Sequence, residues 1–224
     1  ERKKAEEEVL KALAKERELN EMKSKFVSIA SHEFRTPLST ILSSISLIEQ
    51  YRQAGQLDKI DKHINRARAS VNHMTSILND FLSVGKLEEG KVEIIREPVN
   101  VSELVNDIAE EIKLSLKPGQ HIETSCASDT TTIHTDTRML RNILFNLLSN
   151  ASKYSDAGKT IQFKSNSADG YLVIAIQDDG IGIPEEDQRH LFDRFFRASN
   201  AINIQGTGLG LNIVKRYLDL LNGT

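Results

Sequence analysis

The feature that most constrains this chain is a pair of long helical patterns joined by a short break. Residues 1 to about 52 read as one helix, with Ala5, Val9, Ala12, Leu19 and Phe26 on heptad spacing and Glu16 and Lys23 interrupting the seam. Such a stretch is either a solvated charged helix or a parallel coiled coil carrying a signal from upstream; an imperfect seam suits a helix that must shift register. Gln53-Ala54-Gly55-Gln56 breaks the pattern, and a second helix follows from about Asp58 to Lys86. Its apolar residues, Leu57, Ile60, Ile64, Ala67, Val71, Met74, Leu78 and Phe81, alternate by three and four. Two helices with a short loop make a hairpin, which alone cannot bury stripes this long. Pairing with a second copy gives a four-helix bundle, so a homodimer follows from burial alone.

Lys86 to Asn100 is a connector containing Pro98, and the pattern then turns to mixed α/β. A helix is expected over Val101–Leu116, with Ser102 as its cap, then a Pro118-Gly119 turn and strands at 121–126 and 131–134. Asp136 is placed to N-cap a helix over 137–153. Strands at 161–165 and 171–177 flank the turn Ser167-Ala168-Asp169-Gly170, and a helix over 208–221 closes the chain. The run YLVIAIQ, Tyr171 to Gln177, is nearly continuous apolar and is expected at the centre of its sheet.

With 224 residues, 39% hydrophobic and 27% charged, the chain has the composition of a globular protein of one or two domains. Its net charge of −3 gives no basic footprint for nucleic acid. No run of about 18 apolar residues is long enough to span a bilayer, and no signal peptide is visible. The lone cysteine, Cys126, cannot form an internal disulfide, which fits a reducing compartment such as the cytoplasm. Both ends read as cuts: the chain opens in a charged helical run and stops at Asn222-Gly223-Thr224, a turn signal that normally leads into a strand.

The first candidate site is SHEFRTPL, Ser31 to Leu38. At about 100° per residue, Phe26, Val27, Ala30, Phe34, Leu38, Ile41, Ile45 and Ile48 lie roughly 120–240° around the helix from His32. The histidine therefore faces solvent, where a second domain and a partner can reach it. A neutral imidazole nitrogen is a competent nucleophile near neutral pH. Adjacent Glu33 can bond the other ring nitrogen, as general base or as the group that fixes the tautomer. Pro37 cannot donate to the Glu33 carbonyl and is expected to kink the helix just past the histidine. The other histidines, His63, His73, His121, His134 and His190, form no metal site with recognisable spacing.

The second candidate site is built from four pieces. On RNILFNLLSNASKY, Arg141 to Tyr154, a stripe of Asn142, Asn146, Asn150 and Lys153 opposes Leu140, Leu144, Leu147 and Ala151. Asparagine is a poor helix former, and its carboxamides can ligate a hard cation and bond phosphates. DDGIGIP, Asp178 to Pro184, follows a strand, with Gly180 and Gly182 permitting close backbone approach. LFDRFFR, Leu191 to Arg197, offers aromatics that brace a mobile segment and arginines that reach phosphates. GTGLGL, Gly206 to Leu211, opens a helix and is a ready anion site, although no Walker G-K-[ST] follows.

The octapeptide around His32 resembles the phospho-acceptor box of histidine kinases, whose pattern H-E-[FLI]-R-T-P-L it matches throughout. The four later pieces resemble, in order and spacing, the N box, first glycine box, F box and second glycine box of the histidine kinase ATP-binding domain, an α/β sandwich shared with gyrase-type and Hsp90-type ATPases. The resemblance implies a multi-domain chain: 1–22 a signalling coiled-coil linker, 23–90 a dimerisation and phosphotransfer hairpin, 91–100 a hinge, and 101–224 the ATP-binding domain. It implies His32 as phosphoryl acceptor, Glu33 as base, and Thr36 as the residue that positions water when a partner is dephosphorylated. It implies that Asp178 reads the adenine amino group, that Asn150 with Asn146 holds Mg²⁺, and that Lys153, Tyr154, Phe195 and Arg197 line the nucleotide. Arg194 is a further candidate for phosphate contact. Gly180, Gly182, Gly206, Thr207, Gly208, Leu209, Gly210 and Leu211 would complete the pocket, with 183–206 as the lid.

ATP-hydrolysing relatives carry a glutamate where this chain has Asn146, and an amide cannot take a proton from water at neutral pH. The γ-phosphoryl is then kept for His32 and passed on to an aspartate of a response regulator receiver domain. Two further strands that usually follow in the family are absent after Asn222-Gly223. The opening ERKKAEEEV resembles the exit helix of a PAS sensor domain. Two rival readings differ in outcome: a gyrase- or Hsp90-like ATPase would release phosphate without phosphohistidine, and a scaffold with a dead kinase domain would bind no nucleotide.

Overall fold

In the computed structural model the described residues are 2–90, 92–113, 115–126, 132–168 and 170–224. Side chains before Ser24 are described only at Leu13, Glu16, Arg17, Asn20 and Glu21. The seam residues Ala5, Val9, Ala12, Leu19 and Lys23 fall outside the described side chains, and Thr131 and Asp169 fall outside the described residues. The chain divides into two compact units, Glu1–Asn79 with Gln205–Thr207, and Asp80–Ile204 with Gly208–Thr224.

The first unit is helical. Helix α1 spans Arg2–Gln53 and is continuous through Pro37. A 3₁₀ turn over Leu57–Lys59 leads into α2, Ile60–Glu88, whose last turns, from Asp80 on, count with the second unit. At the loop end, Tyr51 stacks on His63, with ring centroids 5.4 Å apart, and Lys59 lies 5.3 Å from the Tyr51 ring. The apolar arc opposite His32 splits in two. Glu33, Pro37 and Ser44, within about 40° of one another around the helix, are buried, whereas Val27, Leu38, Leu42 and Ile45 are exposed. On α2 the heptad-spaced Ile64, Val71 and Leu78 are exposed in the same way. One copy of the hairpin thus leaves an apolar seam on each helix uncovered.

The second unit carries the α/β layers. Strand β1, Glu97–Asn100, pairs antiparallel with β3, Thr132–Thr135. The segment expected as hinge therefore ends in a strand. Helix α3, Val101–Lys113, buries Val101, Leu104, Val105, Ile108, Ala109 and Ile112 at i, i+3, i+4, i+7, i+8 and i+11, a single core-facing stripe. Its cap is Asn100 and not Ser102: Asn100 Oδ1 accepts from Glu103 N at 3.2 Å while Asn100 Nδ2 donates back to Glu103 Oε1 at 2.9 Å.

Strands β2, His121–Cys126, β4, Thr160–Ala168, and β5, Tyr171–Gln177, form a sheet in the order β2-β4-β5, the first pair parallel and the second antiparallel. The central strand is β4, where Ile161 and Phe163 are fully buried. Strand β5, expected at the centre, is an edge strand among the described strands. Its Leu172, Ile174 and Ile176 are half-buried against the core, while Tyr171 and Val173 are exposed on the other face.

Helix α4, Thr137–Tyr154, joins α3 and β4 in one apolar core. Asp136 caps it as expected, accepting from Arg138 N and Met139 N. The core-facing leucines are Leu140, Leu144 and Leu148; Leu147, assigned to that stripe from the sequence, is only half-buried. A short helix α5, Glu185–Gln188, precedes α6, Gly210–Leu220. Asn222, at φ 59°, and Gly223, whose N–H donates to Leu218 O at 2.8 Å, close α6 with a Schellman-type cap.

Candidate functional site

The first candidate site lies on α1. The His32 side chain is 77% exposed, and that of neighbouring Glu33 is 6% exposed. Glu33 Oε1 stands 3.7 Å from His32 Nδ1, outside hydrogen-bond length but one small side-chain movement from it. Glu33 Oε2 is buried with no hydrogen-bond partner among the described residues. A buried side-chain oxygen with no partner, beside an exposed imidazole, is an acceptor left unused by the fold. Thr36 is exposed about 40° around the helix from His32, on the same side. Pro37 is buried, and its missing N–H leaves the Glu33 carbonyl without its i+4 donor.

The second unit gathers the other pieces around α4. Asn146 Nδ2 donates to Asn142 O at 3.0 Å and to Asn142 Oδ1 at 2.8 Å, which fixes the amide so that its oxygen points away. That oxygen faces Gly210: a Cβ on Gly210 would lie 2.8 Å from Asn146 Oδ1 and 4.0 Å from Asn150 Nδ2. The absent side chain leaves a cradle over both amides. One turn on, Lys153 Nζ sits 4.9 Å from the centroid of the Tyr154 ring.

The first glycine box docks on the end of the same helix. Ile181 N donates to Tyr154 O at 3.2 Å, and Ser155 forms an isolated bridge with Gly180. Asp178 Oδ1 accepts from Gly180 N at 2.9 Å and lies 3.5 Å from Ser155 Oγ, so one carboxylate oxygen is fixed and the exposed side chain offers the other. A Cβ on Gly180 would meet Asp178 Oδ1 at 2.6 Å and Tyr154 O at 2.7 Å, so only glycine fits this approach. Gly182, at φ +66°, has open space around it. Asn200, which nothing in the sequence singled out, donates to Ile181 O at 3.2 Å and Gly182 O at 3.0 Å and ties the following segment to this box.

The F box locks to the second glycine box through the backbone. Phe195, buried and at the unusual φ of 61°, donates its N–H to Gly208 O at 3.0 Å. Gly208, at φ +69°, leaves 2.7 Å between a notional Cβ and Phe196 O. Leu209 is fully buried and Leu211 half-buried.

The two arginines of the F box do not lie free for a nucleotide. Arg197 donates through Nη2 to Ala201 O at 2.9 Å, Ile202 O at 2.6 Å and Ile204 O, holding residues 197–204 in a closed turn. Arg194 is paired with Glu88. Gly206 is half-buried and Thr207 buried. Among the described residues no cluster of three His, Cys, Asp or Glu side chains could hold a metal ion. A cation in the cradle would take amide oxygens and phosphate oxygens, as hard Mg²⁺ does at nucleotide sites.

The geometry has counterparts in known proteins. The family model for the histidine kinase, DNA gyrase B and HSP90-like ATPase matches residues 135–224, and that for the His kinase A phospho-acceptor domain matches 22–90. Drug sensory protein A of Synechocystis sp. is 30% identical over 220 residues, covering 92% of this chain and 33% of its own. The autoinducer 2 sensor kinase/phosphatase LuxQ of Vibrio vulnificus is 33% identical over 213 residues, covering 88% of this chain and 24% of its own. This chain therefore spans a third or less of the length of either relative. Full-length ShkA, solved in complex with AMPPNP, superposes with a TM-score of 0.61 at 27% identity, covering 90% of this chain and 42% of that one. With an acceptor hairpin and a nucleotide-binding α/β unit in sequence, the chain belongs to the sensor histidine kinases and forms their catalytic core.

Proposed function

We propose that this chain binds ATP at the α4 face and transfers its γ-phosphoryl group to His32, then to an aspartate of a response regulator receiver domain. The observation that carries this is the pairing of an exposed imidazole with a buried carboxylate, in a chain whose nucleotide pocket has an amide at position 146. Glu33 lies on the Nδ1 side of the ring. A hydrogen bond from Nδ1–H to Glu33 leaves the lone pair on Nε2, which makes Nε2 the attacking atom. Nε2 forms the N–P bond as the β,γ-bridging P–O bond breaks, ADP departs, and Glu33 takes up the developing positive charge by accepting the Nδ1 proton.

The second unit binds and orients. Asp178, with Oδ1 held by Gly180 N, accepts from the adenine amino group through Oδ2. Lys153 and Tyr154 line the nucleotide, and Gly208–Leu211 supply backbone N–H groups to phosphates. Asn150 and Asn146 would hold Mg²⁺, which when bound neutralises phosphate charge. Arg197 serves the lid by clasping its carbonyls, and Arg194 reaches phosphate only on leaving Glu88. Asn146 in place of a carboxylate leaves attacking water without a base.

The uncovered seams of Val27, Leu38, Leu42 and Ile45 on α1, and Ile64, Val71 and Leu78 on α2, support a homodimer by four-helix pairing. The connector expected at 91–100 acts as the hinge, up to the start of β1 at Glu97, and 1–22 act as the signalling linker from an upstream, PAS-like sensor. LuxQ is named a kinase and phosphatase, and the exposed Thr36 beside His32 supports phosphatase activity here too. No described helix is long and apolar enough to cross a membrane. Dependence on ATP supports a cytoplasmic location for this portion.

Incubation with γ-labelled Mg-ATP tests the proposal. The wild type gains an acid-labile, base-stable label, and His32→Gln gains none while still binding nucleotide. Acid-labile label persisting in His32→Gln would overturn the assignment.

A further inference from the structure

Helix α4 ends without a glycine cap, yet its last carbonyls all have donors. Ser152 O accepts from Gln120 Nε2 at 3.0 Å, and Lys153 O accepts from Lys117 Nζ at 2.9 Å. Ser155 O accepts from both, and Asp156 O from Gln120 Nε2 at 2.9 Å. The one remaining carbonyl in this run, that of Tyr154, is taken by Ile181 N of the first glycine box. Terminal carbonyls of a buried helix end need such partners, and a lysine ammonium there also favours the negative end of the helix dipole.

The donors themselves are rigid. Gln120 is 7% exposed, and its Oε1 accepts from Ser152 Oγ at 2.9 Å and Lys117 N at 3.0 Å. The turn that carries both residues is pinned by Gly158 N donating to Pro118 O and by a 3.2 Å approach of the Gly119 Cβ position to Gly158 Cα. Ser155, gripped by this clasp, is fully buried, bridges Gly180 and stands beside Asp178. A displacement of residue 155 is therefore a displacement of the Asp178 carboxylate.

We propose that Lys117 and Gln120 are positioning residues for the adenine end of the pocket: they clamp the last turn of α4 so that Asp178 stands where the 6-amino group of the base arrives. This rests on the reading of Asp178 as the base-reading residue. Both act through Asp178 without touching nucleotide, so their loss reduces discrimination for the amino group as well as affinity.

The test measures, on the full chain, affinities for ATP and for purine riboside triphosphate, which lacks the amino group, in wild type, Lys117→Met, Lys117→Arg, Gln120→Leu and Asp178→Asn. Lys117→Met removes a charged donor to two carbonyls and is expected to weaken ATP binding by on the order of tenfold while the purine analogue is affected less. Lys117→Arg restores most of the preference, and Gln120→Leu follows Lys117→Met. Because both residues act on one carboxylate, Lys117→Met in an Asp178→Asn background costs little more than Asp178→Asn alone. Lys117→Met and Gln120→Leu lowering the melting temperature while leaving the ATP-to-analogue ratio at its wild-type value would overturn the inference. Full additivity with Asp178→Asn would overturn it equally. An unchanged ratio in Asp178→Asn itself would instead remove the reading of Asp178, and the inference with it.

Discussion

Asp136 offers a perturbation whose size can be worked from the structure. The residue is 1% exposed. Its Oδ1 accepts from Arg138 N at 3.0 Å and Met139 N at 3.2 Å; its Oδ2 accepts from Ile95 N at 2.9 Å and Arg138 Nη2 at 2.8 Å. Burial alone pushes this carboxyl up, but the bonds from Arg138, Ile95 N and Met139 N outweigh it and bring it from 3.8 down to about 2. At about 1.4 kcal/mol per pKa unit the ionised form contributes about 2 kcal/mol. The Arg138 side chain is 65% exposed, so solvent screening of its share brings the figure nearer 1 kcal/mol. Asp136→Asn keeps an N-cap oxygen but sets an NH₂ against Ile95 N–H and loses the ion pair. The expected cost is therefore about 1–2 kcal/mol at neutral pH, and about 3 kcal/mol for Asp136→Ala, which leaves three N–H groups unpaired.

The sign with pH follows from the lowered folded pKa. The contribution is complete above the unfolded value of about 4 and is lost as pH falls through about 2. Urea unfolding followed by circular dichroism, wild type against Asp136→Asn, gives the difference at each pH. The gap should hold from pH 7 to about 5 and close towards pH 2. A gap independent of acidity, or one below about 0.5 kcal/mol at pH 7, would refute the reasoning. The same substitution loosens Glu93 and Ile95, which Arg138 and Asp136 tie to the start of α4.

Three other outcomes follow from the packing. Gly210→Ala puts a methyl 2.8 Å from Asn146 Oδ1 and is expected to weaken ATP binding about tenfold by calorimetry, with little change in melting temperature. Val71→Glu with Leu78→Glu removes about 1 kcal/mol of apolar burial per side chain, four per dimer, so the dimer dissociation constant should rise on the order of a thousandfold by analytical ultracentrifugation. Asn100→Ala, breaking the reciprocal cap on α3, should cost about 1 kcal/mol in urea unfolding, and Ser102→Ala close to nothing.

Local signals were legible in the sequence and longer-range ones were not. Asp136 announced itself as a cap, and α2 and β5 lie close to where periodicity put them. Ser102, the cap expected from the sequence, is the second residue of the helix, and Asn100, as good a cap residue by type, makes the box with Glu103. YLVIAIQ looked central because a continuous apolar run cannot distinguish a strand buried on both faces from an edge strand with one exposed apolar face. The resemblance sets Arg197 beside the nucleotide, while in this structure carbonyls four to seven residues ahead hold its guanidinium. The clasp of Lys117 on Lys153 spans 36 residues and carries no periodic or turn signature, so only the folded chain reveals it.

The central claim is that His32 is where the γ-phosphoryl group lands. The purified chain, incubated with Mg-ATP and digested at neutral pH, can be mapped by tandem mass spectrometry under conditions that keep phosphoramidates intact. One phosphoryl group on the imidazole of His32, absent when ATP is replaced by AMPPNP, is the expected result. Stoichiometric phosphorylation at any other side chain, or steady phosphate release from a chain that never carries phosphohistidine, would contradict it.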